Sequence, residues 1–102
     1  MTISFHPEAS AELEAAAAAY EDREAGLGLD FILEVQAAIE RIVAFPQAWP
    51  ILDGEIRRCL VNRFPFGILY ACEAAEIRIL AIMHLHREPE YWKRRQGPTG
   101  TV

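Results

Sequence analysis

The chain has 102 residues, 52% apolar and 25% charged, which suffices for one core without metal or disulfide staples. No apolar run nears the roughly 20 residues of a membrane helix, no basic-then-apolar leader opens the chain, and two cysteines lie in apolar segments, so a reduced, cytoplasmic protein is expected. The net charge of −5 argues against wholesale coating of nucleic acid, yet residues 1–55 hold two cations against eleven acids and residues 56–95 hold eight cations against four.

In chain order, "TISF" (2–5) reads as a short edge strand, β-branched and aromatic. Pro7 then suits a first helical turn, with Glu8 and Glu12 near the positive helix start. Ala9, Leu13, Ala16 and Tyr20 recur at helical spacing, and "AAAAA" (15–19) lets a neighbour approach closely. Gly26 and Gly28 are expected to end this helix, and Asp30 to cap a second one. The second stripe is Phe31, Val35, Ala38, Ile42 and Phe45, stopped by Pro46. A short connection makes the pair an antiparallel hairpin. "PQAWPILDGE" (46–55) reads as a loop, pinned to the core by Trp49 and Ile51.

From residue 56 the period falls to two, predicting a three-stranded antiparallel meander: "IRRCLVNR" (56–63), "FPFGILYACE" (64–73) and "EIRILAIMHLHR" (76–87). The predicted class is α+β: short strand, helical hairpin, meander, short C-terminal segment, in one domain over 1–95. Residues 96–102 read as a flexible tail, and Pro89 is expected to break strand pairing. In the last strand Ile77, Ile79, Ala81, Met83 and Leu85 share one face, expected to meet the helices. The opposite face carries Leu60, Leu69, Leu80 and Ile82 from adjacent strands, with Arg58, Arg78, His84 and His86 around them. Such a patch needs a cover, either the chain's own C-terminal segment or another polypeptide.

"HLHREPEYWKRR" (84–95) is the chemistry-bearing stretch. His84 and His86 share a strand face, but no third ligand with a recognisable spacing accompanies them, so no metal or cofactor is expected. The bland reading is a polar rim. The chemical one is a phosphodiester or ribosome-facing site, in which cations hold phosphate while His or Tyr moves protons. Arg58, His84, His86, Arg87 and Tyr91 are the right residue types for cleavage of RNA by its own 2′-hydroxyl. Arg57 and Arg58 can equally be an edge-strand pair that deters aggregation. Tyr91 and Trp92 can anchor the C-terminus on Trp49 or the sheet, or stack on bases.

The segments "FHPEASAELEAAAAAY", "GLGLDFILEVQAAIERIVAFPQAWP", "IRRCLVNRFPFGILYACE" and "IRILAIMHLHREPEYWKRR", in this order, resemble the RelE/ParE superfamily of toxins from bacterial type II toxin–antitoxin systems. The likeness covers residues 2–95, and it is nearer to the ParE-like, plasmid-stabilisation branch. It implies a compact toxin, neutralised in a hetero-oligomer by a cognate antitoxin that would supply the cover for Leu60, Leu69, Leu80 and Ile82. The branch sets the target. ParE-like toxins poison DNA gyrase without cutting nucleic acid, whereas RelE-like toxins cleave messenger RNA on the ribosome. The ribonuclease members keep an arginine after an aromatic early in the second meander strand, where this chain has Gly67 after Phe66. The resemblance therefore implies growth arrest through gyrase, contacted by Arg57, Arg58, His84, His86, Arg87, Tyr91, Trp92, Lys93, Arg94 and Arg95. The alternatives are a metal-independent ribonuclease using Arg58, His84, His86, Arg87 and Tyr91, and an inactive homologue serving as a binding module.

Overall fold

The computed structural model describes residues 2–88 and 90–95. The expected break at Pro89 and the expected tail 96–102 lie outside the described residues. The order is β1 (Thr2–Phe5), α1 (Pro7–Arg23), α2 (Leu27–Ala44), β2 (Ile51–Asp53), β3 (Ile56–Leu60), β4 (Phe66–Glu73), β5 (Glu76–His84) and a 3-10 turn, Lys93–Arg95. This is the expected α+β class, with one strand added. Asp53 pairs with Ile56 across a two-residue turn whose Gly54 has φ +57°, so part of the expected loop is a hairpin arm. None of the described helices is long and apolar enough to cross a membrane.

The helical stripes pack as read, with two corrections at the ends. Ala9, Phe31, Val35, Ala38 and Ile42 are buried, whereas Phe45 lies past the last turn of α2 and is exposed. Asp30 is not the cap of α2, which begins earlier, and its carboxylate faces Arg63 at 3.6 Å. The capping is done by Glu21 of α1, whose carboxylate accepts from the Gly26 N–H at 2.9 Å and the Gly28 N–H at 3.0 Å. Gly28 therefore sits inside α2 rather than ending α1. A Cβ there would stand 2.5 Å from the Ala17 carbonyl oxygen, so glycine is what lets the two helices touch.

The sheet order is β1-β5-β4-β3-β2, with β1 parallel to β5 and the other neighbours antiparallel. One face packs on the helices through Cys59, Ile68, Tyr70, Ile77, Ile79 and Ile82, joined by Phe64 and Phe66. Phe31 meets Phe66 and Phe64 with ring centroids at 4.9 and 5.2 Å, both edge-on. Strict alternation fails in β5. Leu69 pairs with Ala81 but Tyr70 pairs with Ile79, so Leu80 is an extra residue, a β-bulge. Past it the parity reverses. Ile82 belongs to the helix face, and Ala81 and Met83 join Leu80 and Leu69 on the other face. His84 likewise moves to the helix side, edge-on to Phe66 at 5.1 Å.

Candidate functional site

The second face of the sheet is apolar, as its sequence requires, and the chain covers it itself. Ile56, Leu69, Ala71, Leu80, Ala81 and Met83 pack with Trp92, which is 1% exposed, and with Tyr91 beside it. Burial of Leu80 alone is worth roughly 1.5–3 kcal/mol. Three of the four residues expected to meet a protein partner are thus enclosed: Leu69 and Leu80 under the C-terminal segment, Ile82 under the helices. Leu60 is the exception, 50% exposed.

The segment is fastened at an unfinished sheet edge. The last rung of β1 on β5 is the His6 N–H donating to the Ile79 carbonyl at 2.8 Å. Beyond it, β5 would present bare backbone groups. Side chains take them instead. Glu12 of α1 accepts from the Ile82 N–H at 3.0 Å, and Arg95 donates to the Leu80 carbonyl at 3.1 Å. The same Arg95 binds both Glu12 oxygens at 2.9 Å and reaches Glu8 at 3.2 Å, while its residue is only 5% exposed. Burial is the strongest influence on the Arg95 charge and opposes it, but the bonds to Glu12 together with the Glu12, Tyr91 and Glu8 charges outweigh it and favour the protonated guanidinium. Its Nε is buried with no hydrogen-bond partner among the described residues.

Tyr91 is clasped between two cations. Arg87 Cζ lies 3.9 Å from its ring centroid and Arg95 Cζ lies 4.9 Å away. Its hydroxyl is buried without a hydrogen bond of good geometry among the described residues. Burial, and then the neighbouring Glu12 carboxylate, push the phenol well above its ordinary range. Lys93 ties the segment to the β2 arm through Asp53 at 3.1 Å and to Glu90 at 3.3 Å. Arg94, largely exposed, meets Glu8 at 3.2 Å.

The five residues that would make a ribonuclease are divided between the two faces of the sheet, with His84 on the helix side and Tyr91 on the second face. Arg58 belongs to β3, where its stem lies across Gly67: a Cβ on Gly67 would stand 3.0 Å from Arg58 Cγ and Cδ. The space of the missing arginine is thus occupied by the aliphatic part of another. His84 meets both Phe66 and His86 edge-on, each with ring centroids 5.1 Å apart, on the helix side. Tyr91, half-buried, packs on the second face with Arg87 over its ring. Arg57 has a structural task, donating to the Trp49 carbonyl at 2.7 Å. Among the described residues no group of three or more His, Cys, Asp or Glu is placed to hold a metal ion.

A separate groove of about 520 Å³ runs beside β3, lined by Arg41, Trp49, Pro50, Arg58, Leu60 and Asn62. Pairing on the outer side of β3 stops early, because β2 has three residues and the last contact is the Arg58 N–H on the Pro50 carbonyl. Arg41, in the last turn of α2, donates to the Leu60 carbonyl at 3.2 Å and helps form the groove wall. Trp49 and Ile51 were expected to pin this region. Trp49 does pack on the core, but Ile51 is exposed. Sequence reading missed Glu12, Arg41 and the groove. Their only trace is the Glu8–Glu12 pair, one turn apart beside the alanine face, and a lone arginine near the end of α2.

Residues 3–89 match the family described as the ParE toxin of type II toxin–antitoxin system, parDE. The chain belongs to the ParE toxin family. This ParE-family chain also shares its fold with a solved chain described as "Chromosomal ParDE TA system from P. aeruginosa". The TM-score is 0.61 at 22% identity, covering 84% of this chain and 97% of the other. No curated protein matches its sequence.

Proposed function

We propose that this ParE-family toxin arrests growth by binding DNA gyrase through its basic C-terminal segment, in the cytoplasm, until a cognate antitoxin neutralises it. The observation that carries the reading is the clasp. Arg87, Arg94 and Lys93 are displayed at the surface of a segment held down by Trp92 and Arg95, an arrangement suited to contact with a protein. The groove beside β3 is the seat of the antitoxin, since among the described residues no strand pairs with its outer edge past Arg58, Leu60 stands exposed and two arginines would favour an acidic segment. The position of His84 and its neighbour His86 on the helix side, opposite the face that Tyr91 covers, favours gyrase over messenger RNA as the target.

Induced expression without antitoxin, followed by recovery of gyrase–DNA complexes and primer extension on transcripts, tests this. The expected result is covalent gyrase–DNA breaks with intact messages. Codon-phased cuts would instead establish the ribonuclease reading. Continued growth with neither lesion would leave a non-toxic binding module.

A further inference from the structure

Glu12 has more to do than its place on an acidic helix suggests. Its two oxygens are shared between the Ile82 N–H at the bulge and the two terminal nitrogens of Arg95. A buried ion pair contributes little net stability compared with apolar residues of the same size, because both charges leave water. A bidentate pair does fix direction. Here it fixes where Arg95 lies, and through the Arg95–Tyr91 and Tyr91–Arg87 stacks it fixes the plane from which Arg87 projects. Among the described residues after Leu85 the backbone bonds are local turns, such as the Tyr91 N–H to the Glu88 carbonyl and the Arg95 N–H to the Trp92 carbonyl, so side-chain contacts dock the segment on the core.

We propose that Glu12 is a positioning residue for the gyrase-contacting surface: through Arg95 it holds Tyr91, Arg87 and Arg94 in the arrangement the target reads. This rests on the C-terminal segment being the target contact. Glu12 lies on α1 and is distinct from the groove beside β3, whose lining residues come from α2, β3, the segment between them and Asn62 just past β3. Loss of positioning should therefore spare antitoxin binding.

The experiment compares Glu12→Gln, Arg95→Ala and the double variant in the full chain, each purified with its antitoxin and then released. Glutamine keeps an acceptor for the Ile82 N–H but not the bidentate carboxylate. Gyrase poisoning should fall by about tenfold or more in each single variant, the scale of a lost hot-spot contact. The double variant should be no worse than Arg95→Ala, and antitoxin affinity should stay within about threefold of the parent. In a Trp49→Phe background, where Trp92 is the remaining indole, emission should shift to the red as the segment loosens. Undiminished poisoning in either single variant, or antitoxin affinity falling in step with poisoning, overturns the proposal. Arg87→Ala with Arg94→Ala, which leaves Glu12 and Arg95 in place, separates the two readings. If that variant stays fully toxic, the target-contact reading has failed; if it is inactive while Glu12→Gln poisons normally, only the positioning role has.

Discussion

The Tyr70 hydroxyl donates to the Pro46 carbonyl at 2.5 Å, joining the middle of the sheet to the end of α2. Burial pushes its phenol up to about 12, with the nearby Arg57 charge opposing and the two cysteines reinforcing the shift. A raised folded value means that this stabilisation is complete below pH 10 and disappears as pH rises toward 12. The chain should lose roughly 2–3 kcal/mol over that window from this group, at 1.36 kcal/mol per unit. Urea unfolding of the parent and Tyr70→Phe at pH 9 and pH 12 checks it: the gap between the two should narrow as the pH rises. Residue identities were widely legible at this scale. Phe31, Val35, Ala38, Ile42, Ile77 and Ile79 are core because spacing alone puts them on one face. Ile82 and His84 were not, since the parity of each depends on the bulge at Leu80, beside which Glu12, 70 positions away, accepts from the Ile82 N–H.

Helices and strands were legible wherever their own side chains decide the period, and less so where a neighbour decides the boundary. Asp30 has the chemistry of a cap, but Glu21 reaches the start of α2 first because the hairpin brings the end of α1 against it. That closeness depends on Gly28. In an ordinary exposed helix Gly→Ala stabilises by up to about 1 kcal/mol. Here the added methyl meets the Ala17 carbonyl, so Gly28→Ala should destabilise by about 1–3 kcal/mol, the cost of overpacking. Denaturant unfolding gives the answer by its sign alone; a more stable variant would mean that the helices have room to separate. The β2 arm illustrates the opposite lesson. Its two-residue turn, Gly54-Glu55, opens on a glycine with positive φ, which is favourable hairpin chemistry, but Pro46 and Pro50 dominated the reading of the segment.

At the scale of the whole molecule, the sequence required a covered second face and left two possible covers, and the choice fell to the chain's own segment around Tyr91 and Trp92. Composition could not decide it, because Trp92 suits a lid and an interface equally well. With that face occupied, the surface proposed for the antitoxin is the groove beside β3, and a prediction follows at this scale. Leu60→Asp should leave unfolding free energy within about 0.5 kcal/mol, as an exposed site does, while weakening antitoxin binding by about tenfold or more, as loss of an anchor does. Titration of antitoxin by calorimetry measures the second effect; unchanged affinity would remove the groove from consideration. The parallel pairing of β1 with β5 has a consequence for biosynthesis. Thr2 aligns with Glu76 and Glu12 binds Arg95, so the sheet acquires its flank and its fastening only after nearly every described residue has been translated. Such far-apart partners close slowly, and a ribosome-bound intermediate would carry a finished helical hairpin while its second sheet face still waits for Tyr91, Trp92 and Arg95.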